Sequence, residues 1–401
     1  MFGTEMRSLK TSNHAMLRIL IFTVFLVISS LLISCSQSSP QDNNTKLNNP
    51  PVALVYYSTS LSQEIIGGGN SHFLSIDKDG SIQTRNGDGL EWNAPVQLQD
   101  SNRIVIQARE KVHVQQGKGS EDTYSSRCRV SAGYRQMSGY LTSSKLYYAL
   151  FNKGIDTHDN YISTIRWGDA QHHNCADIPE FVEAQGSDEN LIYVLTSDHA
   201  SLKGLNLVVM ELEGSKLQQS KYPLLDIYTG SLIVQSKMVS TQNNMYVVFS
   251  TRDEHNRIHL QLMEINKSTH TAITYSLHTY GEEPDNAYFS LSANSIGIVD
   301  KMLYYVDGYG TIFSFSLDTK ASVKSNTLAK FQRSSNVNDA MGYVYGAFYY
   351  LYRYDESDQV HKIEQYQLSD GKFLKKLPIP NLASKLSSGV YLYDFQMLTN
   401  L

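Results

Sequence analysis

Seven side chains crowd one short stretch in a way that suits a metal ion: Asp156, His158, Asp159, Asp169, His172, His173 and Cys175. Imidazole, carboxylate and thiolate together favour zinc or another divalent cation. The spacing, however, matches no established site. Asp156 to Asp159 reads first as a hairpin turn, because Asp and Asn cap their own backbone. His172 and His173 are adjacent, so on a strand they point to opposite faces and at most one serves a given site. Asp156, His158, Asp169 and His172 stay as metal candidates, with a solvated loop as the simpler account. No cofactor is expected.

Other acids are placed as turn residues. Asp198-His199, Asp253-Glu254-His255 and Asp355 with Asp358 and His361 occupy equivalent turns between strands. They form either a polar binding rim or plain hydrophilic hairpin tips. Asp77-Lys78-Asp79-Gly80-Ser81 begins like a calcium loop, but such a loop wants Gly sixth and Glu twelfth. Here Gly80 is fourth and Asp88 twelfth, and a tight hairpin explains Asp79-Gly80 more simply. No Gly-x-Ser-x-Gly occurs, no Cys–His pairing is recognisable, and Glu282, Glu283 and Asp285 are acids of unknown separation. Tyr228, Tyr280, Tyr309 and Tyr343 read as loop tyrosines that suit a sugar or peptide surface.

Cys35 carries a different chemistry. It closes Leu32-Ile33-Ser34-Cys35 after an apolar stretch from Ile19 to Ile33 and a leader bearing Arg7, Lys10 and Arg18. This layout resembles the lipobox of bacterial lipoprotein signal peptides. The resemblance implies cleavage before Cys35 and a diacylglyceryl group on its thiol. An uncleaved membrane span is the competing reading, but it needs about 20 apolar residues. This stretch is shorter and is broken by Ser29 and Ser30. Ser36 to Pro51 is Ser, Gln, Asn and Pro with almost no apolar side chains, and reads as a disordered stalk. Ser36 is not the aspartate that retains lipoproteins at the inner membrane of many Gram-negative bacteria. The resemblance therefore implies an extracytoplasmic, lipid-anchored protein, at the outer membrane if the host is Gram-negative.

Residues 1–34 carry three basic residues and Glu5, so the remaining chain has 31 Lys and Arg against 38 Asp and Glu, a net charge of −7. That balance argues against nucleic acid, which wants a basic face. Only Cys128 and Cys175 are left after lipidation. In an oxidising compartment they either pair or remain two buried thiols.

The elements that must position all these groups come from a repeat. Short aromatic-aliphatic strands recur at Leu146–Leu150, Leu191–Leu195, Met245–Phe249, Leu303–Val306 and Phe348–Leu351. A polar turn and a second strand follow, the second strands including Leu205–Leu212, Ile258–Ile265, Thr311–Leu317 and Lys362–Leu368. Phe73–Ile76 with Ser81–Thr84 reads as an earlier copy. The clear copies start 45, 54, 58 and 45 residues apart, close to the period of a four-stranded propeller blade. Nearly continuous apolar runs suit strands sandwiched between blades. Ser236–Thr241 and Met341–Gly346 suit innermost strands, and Val390–Leu398 can close a ring against Val52–Tyr57.

The segment Leu303 to Asp318 is similar to a blade of the YWTD propeller type, although it lacks the Trp. The fold expected is all-β: a β-propeller of about seven four-stranded blades, with six or eight as variants. A β-sandwich with a second β domain is the alternative. The boundaries expected are a signal peptide over 1–34, a lipidated linker over 35–51 and the propeller over 52–401. Three functions fit. The first is a lipid-anchored, non-enzymatic propeller binding a protein or glycan partner. The second is an envelope enzyme, a glycan hydrolase or lyase. The third is an envelope assembly factor, by analogy of fold alone.

Overall fold

A strand that is apolar on both faces needs partners on two sides, and sheets stacked face to face supply them. The computed structural model describes residues 51–59, 69–88, 92–98, 103–115, 120–123, 128–130, 137–155, 160–169, 171–198, 203–228, 232–281, 291–323, 325–332 and 340–401. Cys35, the apolar leader and the stalk lie outside them.

Among the described residues, the strands run in chain order through seven antiparallel sheets. The first sheet holds β1 (Ala53–Ser58), β2 (Asn70–Ile76) and β3 (Ile82–Asp88). The second holds β4 (Trp92–Leu98), β5 (Arg103–Ala108), β6 (Lys111–Gln115) and β7 (Ser120–Thr123). The third holds β8 (Met137–Leu141), β9 (Leu146–Ile155), β10 (Tyr161–Gly168) and β11 (His173–Ile178). The fourth holds β12 (Phe181–Ser187), β13 (Leu191–Asp198), β14 (Lys203–Glu213) and β15 (Lys216–Tyr228). The fifth has β16 (Leu232–Val234) and β17 (Val239–Ser240) sharing one edge, then β18 (Asn244–Arg252), β19 (Ile258–Asn266) and β20 (Ala272–Tyr280). The sixth has β21 (Ile296–Val299), β22 (Met302–Val306) and β23 (Thr311–Ser316), with β24 (Ala321–Ser322) and β25 (Asn326–Thr327) on its outer edge. The seventh holds β26 (Ala340–Tyr345), β27 (Phe348–Asp355), β28 (Val360–Gln367) and β29 (Phe373–Ile379). The last strand, β30 (Tyr391–Met397), returns to the first sheet and pairs with β1.

Each sheet buries side chains against the next. Leu54, Tyr56, Ile104 and Ile106 join the first sheet to the second. Val105, Val112, Cys128 and Tyr147 join the second to the third. Further apolar clusters join third to fourth, fourth to fifth, fifth to sixth and sixth to seventh. Tyr350, Tyr352 and Ile363 then meet Val55, Leu74 and Phe395, so the seventh sheet packs on the first and the ring is closed. The inner edges are β30, β4, β8, β12, β17, β21 and β26, which touch across sheet boundaries at β26–β30, β4–β8, β8–β12, β12–β17, β17–β21 and β21–β26. This is an all-β propeller, and Lys46–Leu401 forms one compact unit.

The aromatic-aliphatic repeats are β9, β13, β18, β22 and β27, each second from the inner edge. The earlier copy is offset by one strand. Phe73–Ile76 and Ser81–Thr84 are the third and outermost strands of their sheet, not the second and third. The reason is the closure: β30 supplies the innermost strand, so β1 already occupies the second position.

Polar side chains bridge the same sheet boundaries. The Lys267 ammonium in the β19–β20 turn donates to Asp188 Oδ2 at 2.8 Å and lies 5.3 Å over the Tyr193 ring of the sheet before it. One sheet on, Lys320 repeats this, donating to Glu264 and lying 5.4 Å over the Tyr246 ring. Between the second and third sheets, Cys128 and Cys175 form a disulfide with Cα atoms 5.9 Å apart. Arg166, opposite Cys175 on β10, is fully buried and donates to the carbonyls of Cys128, Ala108 and Arg109.

Candidate functional site

The ring brings inner strands from distant parts of the chain to one place, and three polar side chains meet there. Lys237 lies between β16 and β17 of the fifth sheet, Tyr343 on β26 of the seventh and Asp394 on β30 of the first. Each keeps part of its surface accessible. The Lys237 ammonium stands 5.3 Å from the centre of the Tyr343 ring. These sheets are not all neighbours in the ring, so such a meeting lies on the central channel.

Local structure explains each placement. The Lys237 N–H donates to Ala293 O at 2.8 Å, and the Met238 N–H to Gln185 O at 2.8 Å. The Ser236 hydroxyl accepts the Val248 N–H at 2.9 Å. The segment between β16 and β17 therefore departs from the sheet and bonds to both neighbouring sheets, which aims Lys237 inward. On β26, Tyr343 alternates with Gly342 and Val344. Gly342 leaves room for the Tyr349 hydroxyl, where a Cβ would sit 1.8 Å from that oxygen. Asp394 lies where β30 slips register against β1, next to the shift between Tyr56 and Tyr57.

The electrostatics of this group are unusual. Burial is the main cause that pushes the Lys237 amine down to about 8, against a small upward pull from Asp394. Burial also pushes the Asp394 carboxyl up to about 6, against hydrogen bonds from Gln396 and its own neighbour. Asp394 Oδ1 accepts the Phe395 N–H at 2.9 Å, and Oδ2 accepts the Gln396 amide at 2.9 Å. Among the described residues, no carboxylate lies within ion-pair distance of the Lys237 ammonium and none accepts a hydrogen bond from it. Perturbed groups gathered in a channel mark a candidate functional site.

The residues singled out by sequence are scattered. Asp156, His158 and Asp159 lie outside the described residues, as do His199 and the acids at 282, 283 and 285. Asp169 and His172 form one turn: Asp169 Oδ1 accepts the N–H groups of Gln171 and His172 at 2.7 Å, and Oδ2 lies 3.3 Å from His172 Nδ1. Burial opposes ionisation of Asp169, but those hydrogen bonds outweigh it and hold the carboxyl below its usual range. His173 points elsewhere, its Nδ1 2.7 Å from the Tyr147 hydroxyl. Among the described residues, no three His, Cys, Asp or Glu side chains are grouped to hold a metal.

The calcium-like segment is a hairpin turn. Asp77 N–H donates to Ser81 O and Gly80 N–H to Asp77 O, both at 3.0 Å. The turns at Asp253–Arg257 and Asp307–Thr311 repeat these two bonds. Asp307 is fully buried, accepts the Tyr280 hydroxyl at 2.8 Å, and burial pushes its carboxyl up to about 6. Of the four tyrosines read as loop residues, Tyr228, Tyr280 and Tyr343 belong to strands and only Tyr309 to a turn. Strand alternation, not loop freedom, aims Tyr343 at the channel.

Folding also assembles a Ser–His–Asn line that no motif announced. Ser387 Oγ lies 3.0 Å from His72 Nε2, and His72 Nδ1 lies 2.7 Å from Asn86 Oδ1. The backbone N–H of Ser387 donates to the same Nε2 at 3.1 Å. The imidazole lone pair is thus already engaged in anchoring the strand connection before β30, which suits a structural tie better than a nucleophile–base pair.

The ring and its channel accord with a family match. The YycP beta-propeller domain model matches residues 45–398. The chain belongs to the YycP beta-propeller family. The uncharacterized protein YycP of Bacillus subtilis (strain 168) is 24% identical over 397 residues, covering 96% of this chain and 97% of its own. Among solved structures, BamB from Moraxella catarrhalis is 10% identical over 77% of this chain and 82% of its own, with a TM-score of 0.43. AztD from Citrobacter koseri is 13% identical over 80% and 85%, with a TM-score of 0.42.

Proposed function

We propose that this chain is a lipid-anchored, extracytoplasmic propeller that binds a protein or glycan partner through its central channel and does not transform it. The observation that carries the reading is the Lys237 ammonium, held among inner strands with an aromatic ring beside it and, among the described residues, no carboxylate within ion-pair distance. Holding a half-buried charge without a direct ion pair is costly. An acceptor on a ligand recovers that cost, so the position favours binding. Asp394 is oriented by its own neighbours, which suits an acceptor of fixed direction.

The anchor rests on the lipobox-like run ending at Cys35, with residues 1–34 removed, 35–51 as tether and 52–401 as the propeller. Among the described residues, no helix is long and apolar enough to cross a membrane. A glycan hydrolase or lyase is the alternative. What favours it is the Lys237 and Asp394 pair, whose ionisations are both drawn toward neutrality.

Crosslinking in intact cells tests the binding reading, which expects a stable complex. Cleavage of a glycan library by the purified chain, with no partner recovered, overturns it in favour of the enzyme. Cys35→Ala tests the anchor and is expected to block processing or release the protein from membranes. A Cys35→Ala protein that is processed and still fractionates fully with membranes overturns the lipid reading.

A further inference from the structure

The ammonium of Lys237 has three N–H donors, and among the described residues none of them makes a hydrogen bond. Each oxygen of Asp394 accepts one hydrogen bond, from the Phe395 N–H and from the Gln396 amide. A carboxylate oxygen has room for a second, so both still accept a ligand hydroxyl. The Tyr343 ring stands beside these groups, with the Lys237 ammonium 5.3 Å over it and Phe395 packed edge-on against it. Donors for an anion, acceptors for hydroxyls and one aromatic ring together describe a polyhydroxylated ligand bearing an acidic group.

We infer that the channel centre recognises an acidic sugar, with Lys237 holding its carboxylate or phosphate oxygens and Asp394 accepting its hydroxyls. This rests on the partner-binding reading and narrows it to a ligand chemistry. A uronic acid and a sugar phosphate share that chemistry, and the experiment separates them. A neutral sugar leaves the ammonium unpaired. A polyanion brings excess negative charge against Asp394. Lys237 is a binding residue here, and no bond is made or broken.

The test is titration calorimetry on the full chain in detergent, with D-glucuronate, D-glucose 6-phosphate and D-glucose as probes. At least one acidic sugar is expected to bind about tenfold or more tighter than glucose. Preference for glucuronate alone identifies the carboxylate source, and for the phosphate alone the phosphate source. Lys237→Gln is expected to erase the preference, Lys237→Arg to keep it, and Lys301→Gln in an exposed turn to leave it unchanged. Equal binding of glucose and both acids, no binding of any probe, or a preference that survives Lys237→Gln overturns the inference. Intact-cell crosslinking of Lys237→Gln separates the two levels. A partner recovered as well as by the unaltered chain defeats the acidic-sugar inference and spares the binding reading. Loss of every partner from the unaltered chain defeats both.

Discussion

His361 shows how one residue can record the closure of the ring. It lies on β28, 7% exposed, with its ring centroid 5.8 Å from Tyr352 and 6.3 Å from Tyr57 of the first sheet. Burial pushes its imidazole from 6.5 down to about 4. The unfolded chain therefore binds a proton between those values that the folded chain refuses. Stability from this site is present above about 6.5 and is lost as pH falls toward 4. Asp307 and Asp394, both raised to about 6, slope the opposite way across the same window. A comparison of variants isolates the histidine. Urea unfolding of His361→Phe and the unaltered chain at pH 7.5 and 5 is expected to show the variant losing about 2 kcal/mol less on acidification. An equal loss in both would mean that His361 is protonated in the folded state. The two alternatives for Cys128 and Cys175, paired or free, were legible in the sequence, and the structure shows the pair. Lys237 was not legible. It is one lysine in a polar segment between two very short strands, and only the ring brings Tyr343 and Asp394 to it.

At the scale of elements, the recurrent strands were legible because burial on both faces leaves continuous apolar runs, as in Leu191–Leu195 and Met245–Phe249. The second sheet was not. Its strands mix polar residues such as Asn93, Gln97, Gln107 and His113 with Pro95 and offer no aromatic pair to match. The turns are legible chemistry with a tertiary constraint added. Gly80 has φ +83° and a Cβ there would lie 2.1 Å from the Pro378 carbonyl oxygen of the seventh sheet. Gly346 has φ +57° and nothing within 4 Å. Gly346→Ala pays only the left-handed backbone, about 1 kcal/mol. Gly80→Ala pays that and the clash, so it is expected to cost at least about 1 kcal/mol more. Thermal or urea denaturation of the two variants measures the difference, and equal losses would show that the β2–β3 turn shifts at no cost.

At the scale of the whole molecule, propeller architecture followed from a period near that of a blade, and closure from the matching ends Val52–Tyr57 and Val390–Leu398. What sequence could not supply was the channel lining, since inner strands as short as β16 and β17 carry little periodic signal. Closure makes the last strand decisive. Removing residues 391–401 strips Leu392, Phe395 and Met397 from the core they share with Tyr352 and Ile363. It also leaves the β1 edge unpaired, an invitation to aggregate. The truncated chain is expected to lose its cooperative unfolding transition and to associate, as read by calorimetry and light scattering. A monomer with the full-length melting curve would mean that the ring holds without its clasp.

The pairing of Val55 with Phe395 also has a consequence in time. Its two partners lie at opposite ends of the chain, so this contact has nearly the largest loop-closure cost the sequence allows. Sheets built from neighbouring strands can form as the polypeptide emerges, but the first sheet has to wait for its final strand. Until then its edge stays open to other chains. Completion of the fold is thus timed by the arrival of β30, and any delay in that arrival prolongs the interval in which misassembly competes.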